Sequence, residues 1–144
     1  MQFFIWKDSY DIGIEEIDRQ HRDFLELLND YHEVLFHVKK ATVGTDVVDK
    51  LKLYISNHFK YEEKLFSTAG YKETELQLKQ HTFFESRVAD LENAQAQGSE
   101  EQLDLLLNYL RDWFLNHILV CDMAYVPTLK SFTLSHDTPP LRAA

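Results

Sequence analysis

Histidines and acidic residues recur at helical intervals along this chain of 144 residues. In His58/Glu62 and in His81/Glu85 the two residues are four positions apart, which places both side chains on one face of a helix. Imidazole nitrogens and carboxylate oxygens are donors that iron, manganese and zinc accept when no thiolate is present. Seven residues are therefore candidate metal ligands: His21, His58, Glu62, His81, Glu85, His117 and Asp122.

Helices have to position these side chains, because apolar residues recur every three or four positions in four segments. Short connections between such helices predict an all-α fold, an antiparallel up-down-up-down four-helix bundle with an extended N-terminal arm. The predicted helices cover about residues 16–40, 47–66, 74–97 and 99–130. The predicted core face of the third helix carries Leu78, His81, Glu85, Val88 and Leu91.

Local signals mark the ends of these helices. Thr74-x-x-Gln77 and Ser99-x-x-Gln102 each have the pattern of a capping box, which predicts that the third and fourth helices begin there. Pro127 is expected to kink or end the regular part of the fourth helix, because proline lacks the backbone N–H that a helix interior uses.

The four histidines fall at matching depths of the predicted bundle. His21 and His81 lie early in their helices, whereas His58 and His117 lie late, so in an antiparallel bundle all four are at the same end. A lone histidine on an apolar face is usually an ordinary core residue, and a single His-x-x-x-Glu pair is common on solvated helices. Four histidines with three carboxylates at one end are better explained by a metal site, with two ions, because buried unpaired carboxylates are costly.

The spacing of His117 and Asp122 does not suit a regular helix. Five residues separate the two, which turns one side chain about 140° away from the other. A π-type turn would bring both to the same side. We therefore predict a local widening of the helix between these two residues.

The composition limits the classes of partner. The chain has 24 Asp and Glu against 15 Lys and Arg, a formal net charge of -9, which argues against nucleic acid and against an anionic membrane surface. Cys121 is the single cysteine, which excludes an intramolecular disulfide and a cysteine-rich metal cluster. No signal peptide and no apolar run long enough to span a bilayer is apparent, so we expect a cytoplasmic protein.

One domain and a short tail are predicted. The domain covers residues 1–132, and its first part, residues 1–15, is the arm, where aromatic residues lack helical spacing. Residues 133–144 contain two adjacent prolines and form a C-terminal tail or linker. A free tail and a connection to a further domain are equally compatible with that segment.

At the ligand motifs the chain resembles a bacterial hemerythrin domain, over about residues 6–130. The resemblance implies a four-helix bundle with a non-haem di-iron centre that binds O2 reversibly. The family has His-x-x-x-His where this chain has His81-x-x-x-Glu85, so Glu85 is a departure. The matching motifs are Trp6…Tyr10-Asp11-Ile12-Gly13-Ile14, Ile17-Asp18-Arg19-Gln20-His21, His58-Phe59-x-x-Glu62-Glu63, His81-x-x-x-Glu85 and Trp113-x-x-x-His117-Ile118-x-x-x-Asp122-x-x-Tyr125.

The resemblance also implies roles for the ligands. Two iron ions per chain would be joined by an oxo or hydroxo bridge and by the carboxylates of Glu62 and Asp122. The first iron would keep an open position for O2, with Trp113 and Ile118 as candidate walls of the O2 pocket. The terminal ligands would be His21 and His58 on the first iron, and His81, Glu85 and His117 on the second.

Several functions are compatible with such a centre. An O2 or redox sensor ranks first, because an ionised Glu85 would add negative charge beside the metals, lower their reduction potential and speed autoxidation. Domains that this chain resembles are also fused to signalling outputs such as diguanylate cyclases, so a fused or downstream output domain can be a partner besides O2. The alternatives are a free-standing O2 carrier or store, an oxidase- or ferroxidase-like di-iron enzyme, and a site loaded with zinc, manganese or no metal. We expect the domain itself not to be catalytic, and the sequence leaves its oligomeric state open.

Overall fold

Five α-helices make up most of the chain in a computed structural model that describes residues 3–35 and 41–136, with side chains for 3–35 and 47–132. A short 3-10 helix, Asp8–Tyr10, lies in the N-terminal arm, and a π-helical turn, Ile118–Asp122, joins the last two helices. No strand occurs among the described residues. The helices are α1 (Glu15–Glu33), α2 (Ala41–Ala69), α3 (Thr74–Gln97), α4 (Glu100–His117) and α5 (Met123–His136).

The helices pack as a four-membered bundle in which α4, the π turn and α5 together form the fourth member. Helix α1 packs against α2 and α4, while α3 packs against α2 and α4. Neighbouring helices joined by connections as short as Gly98–Ser99 run antiparallel. The prediction of an all-α, antiparallel four-helix bundle is confirmed. Within the described part of the chain, no helix is both long and apolar enough to cross a membrane.

Four phenylalanines, one from each of the helices α1 to α4, form the centre of the apolar core. The ring centroids of Phe24 and Phe114 are 4.6 Å apart, and Phe84 lies 5.8 Å from Phe24 and 5.5 Å from Phe114. Phe59 completes the group at 5.9 Å from Phe84. All four side chains are buried. Burial of these rings contributes strongly to folding, because each removes a large apolar area from water.

The buried face of α3 differs from the predicted one. Leu78 and Glu85 are exposed, so the prediction that they lie on the core face is wrong. Gln77 and Phe84 are buried in their place, together with the correctly predicted His81, Val88 and Leu91. Each residue turns a helix by about 100°, so Glu85, one position after Phe84, faces away from the core.

The two predicted capping boxes have different outcomes. The Ser99 hydroxyl accepts a hydrogen bond from the Gln102 backbone N–H at 3.3 Å, which confirms the cap of α4. Helix α3 does begin at Thr74, but the Thr74 hydroxyl donates to the Tyr71 carbonyl oxygen at 2.6 Å. The Gln77 side chain is buried and bonds elsewhere, so the predicted capping box at Thr74 is wrong.

The last helix continues beyond the predicted end. Helix α5 contains Pro127 and runs on to His136, so the proline does not end it. Residues 133–136, which the sequence assigns to the tail, are helical, and residues 137–144 lie outside the described part. The boundary between domain and tail stays a prediction.

The N-terminal arm is fixed to the bundle by polar contacts. The Asp18 carboxylate, in the first turn of α1, accepts the backbone N–H groups of Ile12 at 2.7 Å and Gly13 at 3.1 Å. Gly13 has a φ of 94°, a conformation that glycine adopts without strain. Further along, Asn29 pairs with both backbone polar groups of Phe4. The arm is therefore attached to α1 at two places, near its start through Asp18 and near its end through Asn29.

Candidate metal centre

Six of the seven sequence-predicted ligands converge inside the bundle, and each is at most 3% exposed. Helix α1 supplies one of them, α2 two, α3 one and α4 one, and the π turn supplies the last. The convergence follows from the antiparallel topology, which brings early positions of α1 and α3 next to late positions of α2 and α4. The six are His21, His58, Glu62, His81, His117 and Asp122.

The carboxylate of Asp122 lies between two imidazoles. Its Oδ2 atom is 3.2 Å from Nε2 of His21, and its Oδ1 atom is 3.1 Å from Nε2 of His117. The π turn makes this arrangement possible, because it brings residues 117 and 122 to the same side of the chain. The predicted widening between His117 and Asp122 is confirmed.

Glu62 occupies the equivalent place on the other side of the cluster. Its Oε1 atom is 3.1 Å from Nε2 of His58 and 3.5 Å from Nε2 of His81. Its other oxygen accepts a hydrogen bond from the buried Tyr125 hydroxyl at 2.6 Å. Each carboxylate is thus shared by two histidines from different helices.

Side chains outside the cluster fix the orientation of three imidazoles. Each Nδ1 lies within hydrogen-bond distance of an oxygen acceptor, so Nδ1 carries a proton and, in the neutral ring, Nε2 has its free electron pair toward the centre. This is the tautomer that a metal ligand needs. The pairs are His58 with Gln20 at 2.7 Å, His81 with Glu63 at 2.8 Å, and His117 with Gln80 at 2.6 Å.

The atoms that face the centre are buried and lack hydrogen bonds. Their mutual contacts are short but do not have hydrogen-bond geometry, so among the described residues they have no hydrogen-bond partner. A buried polar atom left in this state costs about 1–3 kcal/mol, and a cation between the atoms would remove that cost. The donor set therefore fits metal ions. It comprises Nε2 of His21, His58, His81 and His117, Oε1 of Glu62 and Oδ2 of Asp122.

Charge interactions shift the pKa values within the cluster. Burial opposes protonation of His117, but the negative charge of Asp122 outweighs it and raises the pKa of His117 to about 10. Burial also opposes the charged form of Asp122, yet the imidazoles of His117 and His21 lower its pKa below the ordinary range. In the metal-free protein a proton on His117 thus balances Asp122, and a binding metal ion has to displace it.

Aromatic rings enclose the cluster. Phe59 is stacked on His81 with ring centroids 3.8 Å apart, and Phe114 packs edge-on against His21 at 5.5 Å. Trp113 is half-buried and stacks on His117 at 4.8 Å, where it borders a surface cleft. Ile118, the other candidate for an O2 pocket wall, is fully buried at the start of the π turn. These rings exclude water from the donor atoms.

Position 85 is the one predicted ligand that the structure does not bring to the cluster. Glu85 is exposed on α3, one turn beyond His81. The residue one turn before His81, Gln77, is 2% exposed and donates to Asp122 Oδ1 at 3.3 Å. In the sequence, the pattern of Gln77 with Thr74 resembles a helix cap, which hides Gln77 as a candidate for the site. Its spacing of four from His81 is the signal that could have identified it.

Fold and site together define a helical bundle with a buried histidine and carboxylate cation site. A family model described as Hemerythrin HHE cation binding domain matches residues 12–129. Bacteriohemerythrin of Stenotrophomonas maltophilia is 36% identical over 131 residues, which are 91% of this chain and 84% of that protein. Bacteriohemerythrin of Clostridium acetobutylicum is 30% identical over 127 residues, 85% of this chain and 98% of that protein.

Solved structures give the same relationship. The crystal structure of wild-type hemerythrin has a TM-score of 0.79 and 26% identity, and the match covers 88% of this chain and 98% of that chain. A hemerythrin point mutant gives a TM-score of 0.80 at 26% identity, with 90% and 98% covered. The chain belongs to the hemerythrin family. The family is one of O2-binding domains that contain non-haem iron.

The arrangement ranks the ligands for metal binding. Asp122→Ala removes the carboxylate that two imidazoles share, so we expect it to abolish paired metal binding. His21→Ala removes a single imidazole donor and should leave substantial single-metal occupancy. Glu85→Ala is the matched control, because an exposed side chain should leave the metal content unchanged. Metal analysis of the purified proteins after iron loading measures all three.

Two results would contradict this ranking. Full metal content in Asp122→Ala would show that this carboxylate is not needed to hold a pair of metal ions. A loss in Glu85→Ala as large as that in His21→Ala would show that position 85 reaches the metals after all.

Proposed function

We propose that this domain binds two iron ions, joined by Glu62, Asp122 and an oxo or hydroxo bridge, and that it binds O2 at this centre. The observation that carries the proposal is the sharing of each buried carboxylate by two imidazoles. One carboxylate with one or two histidines would suit a single ion. Two shared carboxylates among four imidazoles suit a pair of ions about 3.5–4 Å apart.

The donor atoms divide into two subsites. His21 and His58 form the first, and they lie close enough to Glu62 for one ion to reach all three. His81 and His117 form the second. Glu62 and Asp122 contact one histidine of each subsite, so both carboxylates can serve both ions. When bound, ferrous iron would supply the electrons for reversible O2 binding.

The protein's own residues hold the donors in place and keep water out. Gln20 orients His58, and Phe114 covers His21, so the first subsite is both fixed and apolar. Two imidazoles, two carboxylate oxygens and a solvent-derived bridge would leave either subsite one ligand short of six, because Glu85 is exposed. The apolar cover of His21 by Phe114 is what favours the first subsite for O2. Ile118 is a candidate wall of the O2 pocket, whereas Trp113 lies against the second subsite through His117.

We also propose a more specific role as an O2 or redox sensor, which is supported by the way α5 is attached to the metal cluster. Asp122 immediately precedes α5, and Tyr125 in its first turn donates to Glu62. Both shared carboxylates are thus linked to one helix, which leads toward the C-terminal residues. A change in the charge of the metals would act on α5 through these two contacts.

The exposure of Glu85 changes the ranking of the candidate functions. An exposed carboxylate adds no charge beside the metals, so the expected fall in reduction potential loses its basis. The argument for an oxidase- or ferroxidase-like centre weakens too, because the buried cluster has two carboxylates and not three. Reversible O2 carriage therefore stands as the main alternative to sensing.

Reconstitution with iron tests the proposed function. We expect the metal-free protein to take up two iron ions per chain without oxygen, and to gain a visible absorption band on exposure to air. Removal of O2 should reverse the band. Failure to bind a pair of iron ions would contradict the di-iron proposal, and a single irreversible oxidation would contradict reversible O2 binding.

Hydrogen exchange tests the sensing proposal separately. The backbone amides at the start of α5, residues 123–130, should differ in protection between the diferrous and the oxidised protein. Residues 91–97 at the far end of α3 serve as an internal control and should not change. Identical protection of α5 in both states would contradict sensing through this helix and favour carriage.

A further inference from the structure

A buried amide lies beside the metal cluster in addition to the six convergent ligands. Gln77 is in the first turn of α3, four residues before His81, and is 2% exposed. Four residues turn a helix by about 40° and advance it by about 6 Å, so Gln77 and His81 share one face. The same face of α3 therefore presents two polar side chains to the cluster.

The partners of the Gln77 amide fix its orientation. Its Nε2 atom donates to the Cys121 carbonyl oxygen at 3.0 Å and to Asp122 Oδ1 at 3.3 Å. A carbonyl and a carboxylate are acceptors, so the amino group has to face them and the two ends of the amide cannot be exchanged. Both amide protons are thereby used, and Oε1 is the remaining polar atom.

Oε1 of Gln77 is buried without a hydrogen-bond partner among the described residues. An acceptor in this state costs about 1–3 kcal/mol, so a hydrogen-bond donor or a metal ion is expected at Oε1. The contacts around the amide favour a metal ion. Asp122 Oδ1, which accepts from Gln77, also contacts His117 Nε2 at 3.1 Å, and His81 Nε2 likewise lacks a hydrogen bond.

We propose that Gln77 is a ligand of the second metal through Oε1, together with His81 and His117. The inference rests on the proposed di-iron function. It assigns to Gln77 the place that the sequence analysis gave to Glu85, one helical turn on the other side of His81. The family's pair of histidines four residues apart then corresponds to Gln77 and His81 in this chain.

A glutamine ligand would affect how tightly the second subsite binds iron. An amide oxygen is a neutral, hard donor, whereas imidazole is the donor that Fe2+ and Zn2+ favour more strongly. The second subsite should therefore bind iron less tightly than it would with an imidazole at position 77. Gln77→His should strengthen that subsite, and Gln77→Leu, which keeps the approximate length but has no donor, should weaken it.

A positioning role is the competing explanation. Gln77 could act only by holding Asp122 through Nε2. Asp122 contacts a histidine of each subsite, so loss of that hydrogen bond would disturb both metals together. Loss of a direct ligand would disturb one metal only, and this difference separates the two roles.

Anaerobic titration of the metal-free protein with Fe(II), followed by calorimetry, measures each binding step. Mössbauer spectra of the loaded proteins then report the two iron environments separately. Gln95→Leu is the matched control, because Gln95 is a buried glutamine of α3 that bonds Tyr31 about 27 Å further along the helix. The control should match the parent in both measurements.

We expect Gln77→Leu to weaken one of the two binding steps by about 100-fold or more, at or above the upper end of the cost typical of losing an outer partner, and to leave the other step unchanged. Gln77→His should retain both steps and shift the Mössbauer signal of one iron only. If Gln77→Leu does not fold, the signal of Gln77→His alone decides the question.

The outcomes that overturn the proposal are distinct from those that overturn the di-iron function. Two iron ions with unchanged affinities in Gln77→Leu, or equal changes at both irons in either variant, would show that Gln77 is not a ligand. In both cases the di-iron function would stand. A parent protein that binds no pair of iron ions would overturn both.

Discussion

Two carboxylates in an apolar core, Glu62 and Asp122, set the constraint on which the rest of the structure depends. Both are completely buried. Removing an ionised carboxylate from water costs several kcal/mol unless positive charge and hydrogen bonds compensate for it. Each of the helices α1 to α4 places one histidine beside these carboxylates, so packing of the helices and neutralisation of the charge occur at the same place.

This constraint explains local features that would otherwise be unfavourable. A regular helix would turn Asp122 away from His117, and the π turn restores the contact at the cost of regular helical hydrogen bonds. The Tyr125 hydroxyl is removed from water and donates a buried hydrogen bond to Glu62. The glutamine and glutamate side chains behind three of the imidazoles keep their rings from rotating. The donors are therefore held in place before any metal arrives, which lowers the entropy cost of binding.

Much of the fold and most of the site could be predicted from the sequence because both follow from helical periodicity. Apolar residues three and four positions apart predict the helices, and the antiparallel topology predicts the common depth of the histidines. The five-residue spacing of His117 and Asp122 predicts the π turn. The third helix is where this reasoning failed. Glu85 and Gln77 are each four residues from His81, and periodicity alone cannot say which of them faces the core. Burial of Phe84 and Val88 shows that Gln77, and not Glu85, faces the core. Which face of α3 is buried depends on how the helix is rotated about its axis against its neighbours.

The shared carboxylates imply that the cluster holds two metal ions. Anomalous X-ray diffraction at the iron absorption edge, from crystals of the iron-loaded protein, tests it most directly. We expect two peaks about 3.5–4 Å apart inside the bundle, one beside His21 and His58 and one beside His81 and His117. A single peak, or peaks outside the space between Glu62 and Asp122, would contradict it.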